Sequence, residues 1–164
     1  FTDSSPRILL VDDNQINRNV AKSILLKSGC EVVEVSSGQE AIKEVKKKKF
    51  DLIFMDIQMP DMDGVQATAK IKKLKLDHRP PIVAMTAYSM EEDRVKFLKK
   101  GLDDYIAKPI KANSLIEKVK TWLHFEPKSV SSEVFNESAE ELVINQNTLN
   151  HLYKYGGCEL IEMV

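Results

Sequence analysis

The sequence predicts an α/β protein built on a doubly wound, five-stranded parallel sheet with helices on both faces. Between residues 7 and 124, five short apolar runs alternate with five segments of helical period. Four of the runs lack regular polar alternation, as strands covered on both faces do. Repeated βα units of this kind join through right-handed crossovers into one open sheet.

Each element carries its own signal. Arg7–Val11 (RILLV) is the first strand candidate. Ile16, Val20, Ile24 and Leu25 then form a helical stripe, which Ser28 and Gly29 stop. Glu31–Val35 (EVVEV) alternates, which suits an edge strand. Ala41, Ile42 and Val45 make a second stripe, and the lysine run 46–49 reads as its solvated, dipole-favoured end. Residues 51–55 (DLIFM) form the third strand and residues 65–76 the third helix. Residues 82–85 (IVAM) form the fourth strand, and residues 91–100 the fourth helix, ended by Gly101. Asp104–Ala107 (DYIA) is the fifth strand. Leu115, Ile116, Val119, Trp122 and Leu123 give the last and clearest helical stripe.

The strand count and the length favour a flavodoxin-like order, 2-1-3-4-5, over a six-stranded dinucleotide fold. That order is carried over from known folds of this type. No Gly-x-Gly-x-x-Gly follows the first strand, which argues against NAD or FAD.

At 164 residues the chain has room for one ordinary domain and an appendage. An apolar share of 43% with 30% charged residues is the balance of a soluble globular protein. No run approaches the roughly 18 apolar residues of a membrane span, and no basic-then-apolar leader opens the chain. A cytoplasmic setting is expected, with the parent protein anchored, if at all, in the inner membrane. Cys30 and Cys158 form no CxxC pair and read as reduced. The chain opens on Phe1 and closes on Val164 within an apolar stretch, so it is expected to be a piece of a longer protein.

The net charge of −1 hides an asymmetry. Residues 1–124 hold 22 basic and 18 acidic side chains, and residues 125–164 hold 2 and 7. The change of sign suggests a boundary near 125. Residues 1–6 read as a linker, 7–124 as the α/β domain, 125–142 as an acidic linker and 143–164 as a helical segment. Neither half is basic enough to argue for nucleic acid, and no membrane contact is expected of this fragment.

Polar residues stand at the carboxyl ends of four strand candidates. Asp12 and Asp13 follow the first, Asp56 the third, Thr86 the fourth and Lys108 the fifth. In an open α/β sheet those ends meet in one crevice, where ligands bind. Carboxylates gathered there repel one another, and desolvation raises the cost of charging them. A hard cation with oxygen ligands solves this, and Mg²⁺ fits. The pieces suggest phosphoryl transfer, with Asp56 as nucleophile and Lys108 and Mg²⁺ neutralising the phosphoryl oxygens. The Thr86 hydroxyl can donate to one of them.

The run Met55-Asp56-Ile57-Gln58-Met59-Pro60-Asp61-Met62-Asp63-Gly64 resembles the signature around the phosphorylated aspartate of two-component response-regulator receivers, the CheY-like superfamily. Asp12-Asp13, Thr86-Ala87 and Lys108-Pro109 match the same pattern in order. The resemblance covers about residues 7–124. It implies a phosphoacceptor switch rather than a turnover enzyme, taking a phosphoryl group from phosphohistidine with Mg²⁺ bound. It implies Mg²⁺ on Asp13, Asp56 and the Gln58 backbone carbonyl, with Asp12 acting through water. It implies a cis Lys108–Pro109 bond. Thr86 and Tyr105, at the ends of neighbouring strands, would report phosphorylation to the face of the fourth helix, fifth strand and fifth helix. Gln58 and Tyr88 fall where the family tunes dephosphorylation. The implied partners are a histidine kinase or a histidine phosphotransfer domain, with the receiver mostly monomeric and the parent a hybrid histidine kinase.

Singly, these residues have blander readings. An acidic pair after a strand is often a helix N-cap, a threonine there a turn, and a lone lysine a surface group. His78, His124 and His151 share no ligand spacing. Asp61-Met62-Asp63-Gly64-Val65 resembles the nucleophile motif of haloacid-dehalogenase-like phosphatases, the alternative enzyme reading. That motif needs its first Asp directly after a buried strand, and here Pro60 precedes it. A flavin-binding module would need a hydroxyl- and Gly-rich loop where this chain has Asp-Asp-Asn-Gln. Residues 144–164 are similar to the opening of a histidine phosphotransfer domain, though His151 lacks the following Lys-Gly. A helix packing on the α/β domain is the other reading of that segment.

Overall fold

A computed structural model of the protein describes residues 4–87 and 91–127. The elements are β1 (Arg7–Val11), α1 (Gln15–Lys27), β2 (Glu31–Val35), α2 (Gly38–Lys47) and β3 (Leu52–Asp56), followed by α3 (Gly64–Lys73), β4 (Ile82–Thr86), α4 (Glu91–Lys99), β5 (Asp104–Ala107) and α5 (Ala112–Leu123). All neighbouring strands run parallel, in the order β2-β1-β3-β4-β5. Both the fold class and the strand order agree with the sequence reading, and EVVEV does lie at an edge.

Strand alternation divides the core between two faces. Leu9, Val11, Ile53, Met55, Ile82 and Ala84 belong to a buried cluster with Ala41 and Val45 of α2, Ala67 and Ile71 of α3, and Phe97 of α4. The alternate residues Ile8, Leu10, Leu52, Phe54, Val83 and Met85 are as deeply buried on the other face. There α1 and α5 contact each other, contributing Ile24, Leu25, Leu115 and Val119. With β1, β3 and β4 covered on both sides, their near-continuous apolar runs follow directly.

Several boundaries differ from expectation. Strands β3 and β4 each run one residue further, because Asp56 pairs with Met85 and Thr86 with Ala107. Helix α3 begins at Gly64, where Asp63 and Gln66 form a reciprocal capping box. It stops at Lys73, because Leu74 turns extended (ψ 141°) and packs with Leu76 against the core. Ile16, expected in the α1 stripe, is 54% exposed, and Arg18 and Ala21 are buried on that helix instead.

Tyr88, Cys158, His151 and the segment 143–164 lie outside the described residues, as does most of the linker 125–142. Among the described residues, no helix is long and apolar enough to cross a membrane.

Candidate functional site

The carboxyl ends of β1, β3, β4 and β5 bring four sequence-distant segments together. Strand β1 passes into Asp12, whose N–H donates to the Val35 carbonyl at 3.3 Å. Its Oδ1 accepts the Asn14 N–H at 2.9 Å, closing a tight turn. Asn14 then caps α1, its Oδ1 accepting the N–H groups of Ile16 and Asn17. The capping role expected of an isolated acidic pair thus falls to Asn14. Asp12 is left buried, at 1% exposure, and Asp13 exposed.

Asp56 closes β3 and is 2% exposed. Its Oδ1 accepts the Gln58 N–H at 3.2 Å. The turn beyond it folds back tightly, since the Gly64 N–H donates to the Ile57 carbonyl at 3.0 Å. A Cβ on Gly64 would stand 2.2 Å from the Asp56 carbonyl oxygen, so only glycine lets α3 start this close. Thr86 closes β4, buried, and its carbonyl accepts the Lys108 N–H at 2.7 Å. The Lys108–Pro109 peptide is cis.

The Lys108 ammonium lies 3.0 Å from Asp56 Oδ1 and 3.1 Å from Asp12 Oδ2. With Asp12 Oδ2 it pairs as a charge, but that buried oxygen accepts no well-aligned hydrogen bond. Burial pushes Asp56 up to about 7, against the pull of Lys108, and the charge of Asp12 adds to the rise. Burial alone would lower Lys108, but its pairing with Asp56 and with Asp12 holds it above the ordinary lysine value.

Asp12, Asp13 and Asp56 each offer a carboxylate oxygen within 4.8 Å of the other two. Oxygens on one octahedral Mg²⁺, at about 2.1 Å, stand roughly 3–4 Å apart, so this donor set fits such an ion. The poorly satisfied Asp12 Oδ2 points the same way.

The remaining candidates divide. Thr86 and Tyr105 are not both at strand ends: Thr86 faces Ala107, and Tyr105 faces Ala84 two positions earlier. They share a face as diagonal neighbours. Tyr105 is half-buried, with the Arg94 guanidinium 5.8 Å from its ring centre. Asp104 beside it accepts from Lys118 at 2.9 Å and from the Trp122 indole at 3.0 Å. Burial opposes its ionisation, but these bonds keep it below the ordinary carboxylate value. Asp61 is exposed with φ 67°, and Asp63 caps α3, so neither stands at a strand end as the phosphatase alternative needs. His78 is exposed, and His124 ends α5 in a left-handed conformation.

Arg18 was missed by sequence reasoning. Its guanidinium donates to the Asp12 carbonyl at 2.6 Å. An arginine on the buried face of an amphipathic helix was the available signal.

The sequence profile described as the response regulator receiver domain matches residues 8–120. The chain is 39% identical over 139 residues to the sensor protein GacS of Pseudomonas syringae pv. syringae, with 83% of this chain and 15% of that protein covered. It is 38% identical over 141 residues to the signal transduction histidine-protein kinase BarA of Escherichia coli K12, with 85% of this chain and 15% of that protein covered. The chain therefore spans about 15% of the length of either relative. Among solved structures, it resembles the receiver domain of the sensor histidine kinase PA1611 from Pseudomonas aeruginosa PAO1 at 34% identity and a TM-score of 0.67. That match covers 74% of this chain and all of the other, whose crystals hold a magnesium ion in the active site cleft.

Proposed function

Since the chain belongs to the response regulator receiver domain family of two-component systems, we propose that Asp56 is its phosphoacceptor and that the domain works as a Mg²⁺-dependent switch. The carrying observation is Asp56 itself, a buried carboxylate at a strand end, flanked by Asp12, Asp13 and the Lys108 ammonium. Gln58 N–H and Lys108 engage its Oδ1, and Oδ2 is the oxygen assigned to attack. Oδ2 forms the new bond to phosphorus as the phosphorus–nitrogen bond of phosphohistidine breaks, and the imidazole leaves with that electron pair. No general base is required, because the attacking form is already a carboxylate. Lys108 neutralises charge on the transferred group. Mg²⁺, held by Asp13, Asp56 and the Gln58 carbonyl, with Asp12 through water, would supply further charge neutralisation at the phosphoryl oxygens.

After transfer the Thr86 hydroxyl donates to a phosphoryl oxygen, and Tyr105 turns into the space this vacates. The change biases the face formed by α4, β5 and α5 only by its differential affinity for the two states. The donor is a histidine kinase or a histidine phosphotransfer domain, and the parent is a hybrid histidine kinase. The domain is a switch that does not turn over substrate, and works mostly as a monomer in the cytoplasm.

Incubation with acetyl phosphate and Mg²⁺, followed by mass spectrometry, tests the acceptor. One phosphoryl group is expected on the native chain and none on Asp56→Asn, since an amide does not attack. Equal labelling of the two removes Asp56 from the role. For the relay, Thr86→Ala should still accept beryllofluoride yet lose most of the NMR shift changes across residues 88–110. A full native shift pattern in that variant rules Thr86 out.

A further inference from the structure

We infer that Arg18 is a positioning residue: it locks the backbone of Asp12 from behind, so that the Asp12 and Asp13 carboxylates converge on Asp56 and on a divalent cation. This deepens the phosphoacceptor reading and rests on it.

Arg18 occupies a position on α1 that is only 9% exposed, on the face that also buries Ala21 and Leu25. A charge there costs free energy unless it is fully engaged, and an aliphatic side chain would serve packing alone. It is engaged by three elements. One terminal nitrogen donates to the Asp12 carbonyl at 2.6 Å, just past the end of β1. The other donates to the Gln15 side-chain carbonyl in the first turn of α1. The Nε nitrogen lies 3.9 Å from Glu34 Oε2 on β2, a buried oxygen that accepts no hydrogen bond. The other Glu34 oxygen pairs with Lys22 at 3.3 Å, which fixes the carboxylate in place.

Asp12 is thereby restrained at its N–H by Val35, at Oδ1 by the Asn14 N–H and at its carbonyl by Arg18. The third restraint matters most for the site. Asp12, Asp13 and Asp56 bring carboxylate oxygens within 4.8 Å of one another, and when all three are ionised their repulsion works against the β1–α1 turn. The guanidinium opposes this through the Asp12 carbonyl, and its planar fork holds two acceptors at once. A lysine ammonium cannot reproduce that fork. Groups that orient the side chains ligating a metal typically change metal affinity about 10–100-fold when removed.

The test compares Arg18→Met, Arg18→Lys and Glu34→Gln with the native chain at a temperature where each is folded. Mg²⁺ affinity is read from NMR titration, and backbone order at Asp13 and Asn14 from ¹⁵N relaxation of the metal-free protein. Arg18→Met should weaken Mg²⁺ binding about tenfold or more and loosen both amides. Arg18→Lys should fall between that variant and the native chain, and Glu34→Gln should shift affinity only a few-fold. If Arg18→Met does not fold, the graded order of Arg18→Lys and Glu34→Gln decides. Unchanged affinity and unchanged amide order in folded Arg18 variants, even with lowered thermal stability, would make Arg18 a packing residue and overturn the proposal. Labelling of native Asp56 by acetyl phosphate separates the two readings: its failure removes the acceptor, whereas the relaxation data judge Arg18 alone.

Discussion

Asp56 concentrates the residue-scale conflict, because a carboxylate held at the crowded end of β3 is also buried, which makes its charge costly. An ordinary aspartate ionises near 3.8, and in this fold Asp56 does so at about 7. Between those values the folded chain binds more protons than the unfolded one, so stability falls as pH rises. The contribution is intact below about pH 4 and lost by about pH 7. Asparagine does not titrate, so the stability advantage of Asp56→Asn should widen from pH 4 to 7 in EDTA and then level off. The gain is a few kcal/mol at most, since one pKa unit corresponds to about 1.4 kcal/mol. Thermal unfolding across pH measures it, and a constant gap would refute the raised ionisation. Lys108→Met should do the opposite, leaving Asp12 and Asp56 facing each other without a counter-charge. A loss of about 1–3 kcal/mol is expected at pH 8 without metal, shrinking at pH 5 as Asp56 takes up its proton.

Helix starts govern the site at the scale of elements. The start of α3 must pass close to the end of β3, and the Cβ of Gly64→Ala would meet the Asp56 carbonyl oxygen at 2.2 Å. Backbone on both sides leaves little room to relax, so a destabilisation of about 2–3 kcal/mol follows. Denaturant unfolding at constant m-value measures it, and a near-neutral substitution would mean that α3 can shift as a unit. Helix α5 has the reverse defect. Its N-cap is Lys111, with no side-chain hydrogen bond to the first turn and a positive charge at the positive end of the helix dipole. Lys111→Ser should supply the missing acceptor and stabilise by about 0.5–1 kcal/mol. An unchanged melting temperature would mean that water already satisfies those N–H groups.

Across the described domain, the sheet is the cooperative unit, since β1, β3 and β4 are buried on both faces and helices pack on both. Cys30, between α1 and β2, reports on that unit. It is buried, and desolvation pushes its thiol up to about 11. A thiol reagent at pH 8 should therefore modify Cys30 only as fast as the fold opens. In a Cys158→Ser background, the labelling rate should rise with urea in step with global unfolding. Fast labelling in native buffer would mean that the α1–β2 edge opens on its own.

The sequence alone determined the α/β class, all five strands to within a residue, and the identity of the polar residues at the strand ends. Those signals are local: apolar runs, helical stripes and turn residues each register within a few positions. The acidic pair, the Met-Asp-x-x-Met-Pro signature, and the later Thr-Ala and Lys-Pro pairs were legible as types and order. Tertiary structure decided what no local window holds. Gly64 is essential because of where the Asp56 carbonyl lies, and Asn14 rather than the acidic pair caps α1. The role of Arg18 became visible only once α1 packed beside β2, because its partners Asp12, just past β1, and Glu34, on β2, lie 6 and 16 positions away. Ile16 belongs to the helical stripe in sequence yet is exposed, because α1 docks through Arg18, Ala21, Ile24 and Leu25 instead. Burial and pairing depend on what folds back against a residue, and periodicity reports only which way its side chain turns.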